Sequence, residues 1–124
     1  MKTKNVMYFT PREEEFANLL VRIGLKRNVA KVLVYLAHTP EATSRDIERG
    51  TDLRQPEVSI AMASMTDQRW VDNRESKAEN KGRPVKIYRL SRPIGEIMDA
   101  IEKEKREEAN NQLNLIQQLR DYIN

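Results

Sequence analysis

The 124-residue sequence predicts a mainly α-helical chain with one small β-hairpin and a long helix at its C-terminus. Three observations carry this. Apolar residues recur at helical spacing through most of the chain, as in Phe16, Leu19, Leu20, Ile23 and again in Val29, Val32, Leu33, Leu36. Only Trp70-Val71 and Val85-Lys86-Ile87-Tyr88-Arg89-Leu90 read as strands, the second alternating apolar and polar side chains. After Ser91 and Pro93, a stripe of Ile94, Ile97, Met98 and Ile101 opens a helical composition that continues to about Ile123.

Each element has its own signals. Thr10-Pro11-Arg12-Glu13 places a Thr cap, a Pro in the first turn and a Glu three residues after the cap, so a helix starts there and runs to about Ile23. Gly24 supplies a residue that tolerates the left-handed conformation of a helix end. The second stripe stops before Pro40, with His38 and Thr39 in the exit. Thr43-Ser44-Arg45-Asp46 is again a cap followed by an acid, opening a short helix that carries Ile47 and is expected to end at Gly50. Leu53 anchors a turn. Pro56 then begins another helix with Val58, Ala61, Met62 and Met65 on one face. Two short helices joined by such a turn make a helix-turn-helix. Lys81-Gly82-Arg83-Pro84 marks the hairpin turn, and residues 75–82 are the only linker-like stretch.

Composition excludes several classes. With 39% apolar and 33% charged residues the chain is globular rather than disordered. Its length suits one core and no elaborate catalytic domain. Without cysteine there are no disulfides and no thiolate metal sites. The longest apolar run, near residues 32–37, is far short of a membrane span, and the start MKTKNVMYFTP is too polar for a signal peptide, which makes the cytoplasm the expected compartment. No nucleophile elbow, phosphate loop or metal motif is present, so no catalysis and no cofactor are expected. His38, the single histidine, reads as a polar helix-end residue.

The formal charge of +3 is unevenly placed. Residues 69–92 hold eight Lys/Arg against three Asp/Glu, a net of +5, whereas residues 93–124 hold four against seven, a net of −3. A localised basic segment is what an electrostatic footprint on phosphates requires; a solvated surface loop is the competing reading.

The order helix, helix, helix-turn-helix, hairpin, long helix is the plan of a winged helix-turn-helix domain. Over about residues 27–91 the sequence also resembles the TrmB-like and MarR-like regulators of prokaryotes. The resemblance rests on Thr43-Ser44-Arg45-Asp46-Ile47-Glu48-Arg49-Gly50-Thr51-Asp52-Leu53, on Gln55-Pro56-Glu57-Val58-Ser59, on Trp70-Val71, and above all on Gly82-Arg83-Pro84-Val85-Lys86-Ile87-Tyr88-Arg89-Leu90. It implies a transcription regulator that binds double-stranded DNA, with the helix from Pro56 in the major groove. In that reading Gln55, Glu57, Ser59 and Ile60, which point away from the Val58, Ala61 and Met65 face, are the base readers. Arg45, Arg49 and Arg54 beside the motif, with Lys81, Arg83 and Lys86 on the wing, are the cations for backbone or minor-groove charge. One departure is that the recognition helix carries no basic residue between positions 56 and 68. The apolar-leaning surface of Ile60 and Ala63 therefore keeps a protein-interaction module as the alternative function. No small-molecule effector can be read from the chain.

Residues 1–92 are read as the DNA-binding domain and 93–124 as a dimerisation helix. Ile94, Ile101, Leu115 and Tyr122 recur in steps of seven, with Ile116, Leu119 and Ile123 beside the later pair. Glu104, Glu108 and Asn111 on the same seam rule out an uninterrupted coiled coil. The expectation is that the first apolar patch packs on its own domain and the second on a partner copy. The chain would then be a homodimer reading two half-sites ~34 Å apart.

Overall fold

Thr10 closes the N-terminus of the first helix from both sides: its Oγ1 accepts the Glu13 N–H at 3.1 Å, and a Glu13 carboxylate oxygen accepts the Thr10 N–H at 2.8 Å. In this computed structural model, which describes residues 9–76 and 83–124, the helices are α1 (Pro11–Arg22), α2 (Arg27–His38), α3 (Ser44–Thr51), α4 (Gln55–Asp67) and α5 (Ile94–Ile123). The strands are β1 (Ala42–Thr43), β2 (Val71–Ser76) and β3 (Val85–Leu90). Among the described residues they form one antiparallel sheet in the order β1-β3-β2. The chain divides into two compact units, Met1–Arg92 and Pro93–Asn124.

Helix ends in the first unit follow from backbone chemistry. α1 finishes in a Schellman turn, where Gly24 at φ 119° lets its own N–H reach the Val21 carbonyl and the Leu25 N–H reach that of Leu20. α4 finishes in the same way without a glycine. Arg69 takes φ 64°, its N–H bonds the Thr66 carbonyl, and the Trp70 N–H bonds the Met65 carbonyl at 2.9 Å. That turn hands the chain from α4 into β2 and is locked from the far side, since Ser91 N–H donates to the Trp70 carbonyl and Ser91 Oγ to that of Arg69.

The end of α3 departs from the sequence reading. Gly50 does not stop the helix. It lies inside α3, where the Tyr35 ring of α2 occupies the place a β-carbon would need. The left-handed residue is Asp52 at φ 59°, a side chain among the few that tolerate that region. Thr51, fully buried, donates its hydroxyl to the Ile47 carbonyl at 2.6 Å, which removes the cost of an unpaired buried hydroxyl.

The core of the first unit is the summed inner faces of these helices: Leu20 from α1, Val29, Val32, Leu33, Val34 and Leu36 from α2, Ile47 from α3, and Val58, Ala61, Met62 and Met65 from α4. Trp70 and Val71 bring the start of β2 into it. Both motif methionines and Trp70 are thus core residues, and Trp70 is no base-stacking platform.

Two strand features go beyond the sequence reading. β1 is a third strand of two residues, pairing Ala42 with Tyr88 and Thr43 with Ile87. β2 runs on through Asp72, Asn73, Arg74, Glu75 to Ser76, so Glu75 belongs to a strand and not to a linker. Two ion pairs accompany this polar strand. Arg89 Nε meets Asp72 Oδ1 at 3.0 Å, directly opposite in register, and Arg74 meets Glu41 at 2.9 Å. The Arg74 hydrogen bond and charge hold the Glu41 carboxyl below the ordinary carboxylate value.

The second unit is a single 30-residue helix, ~45 Å long at 1.5 Å per residue. Ile97 and Ile101 in its first half are buried. In its second half Leu113, Leu115, Ile116, Leu119, Tyr122 and Ile123 are all exposed, Tyr122 at 92%. Between them an exposed charged stretch carries the Glu102–Arg106 pair at 2.6 Å and the Lys105–Glu108 pair at 3.4 Å. Among the described residues no helix is long and apolar enough to cross a membrane.

Candidate nucleic-acid interface

The site is assembled by the pairing of β1 with β3. Because Thr43 is both the last residue of β1 and the N-cap of α3, the strand register fixes where α3 begins. The Thr43 Oγ1 accepts the Asp46 N–H at 3.1 Å and an Asp46 carboxylate oxygen accepts the Thr43 N–H at 3.0 Å, so the first turn of α3 is held rigidly against the sheet. Arg45 leaves that first turn, Arg49 leaves the last, and both are exposed.

α4 follows after the buried anchor Leu53 and the Arg54 cap. Its sides sort by helical angle. Val58, Ala61, Met62 and Met65 are buried, while Gln55, Ser59, Ala63 and Thr66 lie on the flank that meets the wing. That flank, with Asp67 at its end and with Ser44, Asn73, Lys86 and Tyr88, lines a concavity of about 420 Å³ between α4 and the hairpin. A second groove of about 700 Å³ runs from Ser44 and Arg45 across to Arg83, Lys86 and Tyr88. Ser44, Lys86 and Tyr88 line both, so they join the two into one concave face.

Of the sequence-predicted readers, Gln55 and Ser59 come together with Lys86. Glu57 and Ile60 do not line the concavity. Glu57 Oε1 accepts the Arg54 N–H at 2.8 Å and closes the start of α4. Ile60 projects outward from the helix with 71% of its surface exposed. Of the predicted cations, Arg45, Arg83 and Lys86 line the 700 Å³ groove, whereas Arg49 and Arg54 are exposed outside it. Lys81 lies outside the described residues. Ser44, Asn73 and Tyr88 were not legible as site residues; Tyr88 carried a signal in sharing the strand parity of Lys86.

The cations also sort by partner. Arg74 and Arg89 on the hairpin are engaged by Glu41 and Asp72. Arg45, Arg49, Arg54, Arg83 and Lys86 have no carboxylate within ion-pair distance among the described residues. The positive side chains of the concave face therefore come from the first turn of α3 and the wing edge, while α4 contributes no positive charge and places Asp67 on the lining.

His38 sits at the end of α2, its Nδ1 at 2.9 Å from the Val34 carbonyl and 3.4 Å from Glu13 Oε2. It ties α2 to α1 at the helix end and belongs to no cluster with the concave face.

Comparison with known proteins places the fold. Residues 23–79 match the model of the MarR family. No curated protein matches the sequence. The solved structure of TrmBL2, described as an archaeal chromatin protein, superposes with a TM-score of 0.71 at 13% identity, over 90% of this chain and 40% of that one. A possible transcriptional regulator from Methanosarcina mazei superposes at 0.65 with 15% identity, over 98% of this chain and 100% of that one. A MarR family regulator from Neisseria meningitidis superposes at 0.53 with 20% identity, over 81% and 68%. This chain thus spans under half the length of TrmBL2 and the whole of the Methanosarcina protein. The MarR family model covers both helices of the helix-turn-helix, and the same winged-helix fold recurs in the archaeal and bacterial structures.

Proposed function

We propose that this protein binds double-stranded DNA sequence-specifically, as a homodimeric regulator, with α4 in the major groove and the hairpin on the backbone or minor groove. The observation that carries the reading is the concave face, where Gln55 and Ser59 share a cavity with Lys86, and where Arg45, Arg83 and Lys86, with no carboxylate in ion-pair distance among the described residues, line the adjoining groove. Gln55 suits bidentate pairing with adenine, and Ser59 accepts or donates to either base. Glu57, with one oxygen engaged by the Arg54 amide, keeps the other for a cytosine amine. Arg45, Arg49, Arg54, Arg83 and Lys86, with Lys81, set register on the phosphates. Dimerisation is supported by the exposed Leu115, Ile116, Leu119, Tyr122 and Ile123, an apolar surface that a lone helix would leave in water.

A mobility-shift titration against genomic duplex fragments at rising salt tests the reading. Retention of a subset of fragments, weakening steeply and linearly in log salt, is expected from counterion release. Absence of binding at low salt overturns it in favour of a protein-interaction module, the reading that the exposed Ile60 on a helix without basic residues would then carry.

A further inference from the structure

The outermost arc of α4 is apolar except at its last residue. Counting about 100° per residue from the buried Val58–Ala61–Met62–Met65 face, the positions opposite the core are Pro56, Ile60, Ala63 and Asp67. All four are exposed, and Ile60, a β-branched residue with 71% of its surface in water, stands at the centre of the ridge. Its χ1 is stiff in a helix, so the two branches project as a fixed apolar knob. A ridge of this kind on a groove-entering helix has few hydrogen-bonding groups. On the major-groove edge of a base pair, the apolar feature available to it is the 5-methyl group of thymine.

The charges around the ridge say what covers it. Arg45, Arg83 and Lys86 line the groove beside α4 and Arg49 and Arg54 are exposed outside it, none with a carboxylate partner among the described residues. Cations beside the apolar Ile60–Ala63 patch complement a groove whose walls are phosphate and whose floor is neutral, and the one acid of the arc, Asp67, stands at the last turn of α4. An acidic or apolar protein surface would not need carboxylate-free cations beside an apolar patch in this way.

Resting on the proposed DNA binding, we propose that Ile60 makes the protein a reader of 5-methylpyrimidine positions: the Ile60–Ala63 ridge packs on thymine methyls in the major groove. Site preference then comes from methyl contacts along the centre of α4, and the hydrogen bonds of Gln55 and Ser59 add discrimination at its wing-side flank.

The test uses the full chain and the genomic fragments retained in the low-salt titration, each amplified once with thymidine and once with deoxyuridine triphosphate, which removes the 5-methyl and leaves every hydrogen-bonding group in place. Wild-type protein should bind the thymine form about fourfold more tightly for each methyl that Ile60 covers, the equivalent of ~0.8 kcal/mol per buried carbon. Ile60→Ala, at an exposed position where alanine is the better helix former, should fold normally and bind both forms equally. Equal binding of both forms by the wild type overturns the proposal and leaves DNA binding standing. A preference that persists in Ile60→Ala is an effect of methyls on duplex shape and also overturns it. Binding to neither form overturns the DNA reading itself.

Discussion

Gly50 lies so close against Tyr35 that a β-carbon on it would overlap Cε1, Cδ1 and Cζ of the ring. α2 and α3 therefore touch through bare backbone at this point, and α3, which carries Arg45 and Arg49, takes its seat on α2 from that contact. Gly50→Ala gains ~1 kcal/mol of helix propensity but forces the ring aside, an overpacking cost of ~1–3 kcal/mol. A net loss of stability is expected in urea unfolding. Gly50→Ala stability at or above the wild type would show that the ring yields freely.

The two Schellman turns differ in the residue that bears the left-handed conformation, and substitution there should act in opposite directions. Gly24→Ala puts a β-carbon at φ 119° and is expected to destabilise the fold by ~1–2 kcal/mol. Arg69→Gly relieves the same kind of strain at φ 64° and should raise stability by up to ~1 kcal/mol. Thermal unfolding of both variants beside wild type checks the contrast.

Cations of the hairpin should divide in their effect on DNA. Arg83→Ala and Lys86→Ala, together with Lys81→Ala, are expected to weaken binding to all sequences alike, each lowering the salt slope by ~0.9 where a phosphate contact is lost. Arg74→Ala and Arg89→Ala remove cations already engaged by Glu41 and Asp72, so they should leave the slope nearly unchanged. By contrast Gln55→Ala should alter which site is preferred by ~1–3 kcal/mol with little loss of nonspecific affinity. Binding-site selection with each variant would show whether the groups behave differently.

The C-terminal half of α5 should hold two copies together. Sedimentation of the full chain is expected to give a dimer, and a chain ending at Lys105, which loses Leu113, Leu115, Ile116, Leu119, Tyr122 and Ile123, should dissociate. Within the full chain, Leu115→Ser with Leu119→Ser removes apolar surface without shortening the helix and should have the same consequence. A truncated chain that remains fully dimeric would take the tail out of the interface.

What the sequence determined by itself was whatever rests on neighbours a few residues apart. The Thr10 and Thr43 capping boxes, the Gly24 turn, the buried stripes of α2 and α4 and the alternation of β3 were all legible, because caps and periodicity are local. So were the family resemblance and the basic segment. Tertiary structure decided what depends on residues far apart in the chain. Gly50 read as a helix stop, and only the Tyr35 ring, 15 positions earlier, makes it a close-packing residue inside α3. The two residues of β1 are too short for any pattern; their partners on β3 lie more than 40 positions away and settle where α3 meets the wing. A count of charge could not separate Arg74 and Arg89 from Lys86 and Arg83, since pairing is a matter of strand register. The concave face is the product of all three, which is why Gln55 and Lys86 were named separately by the sequence and brought together only by the fold.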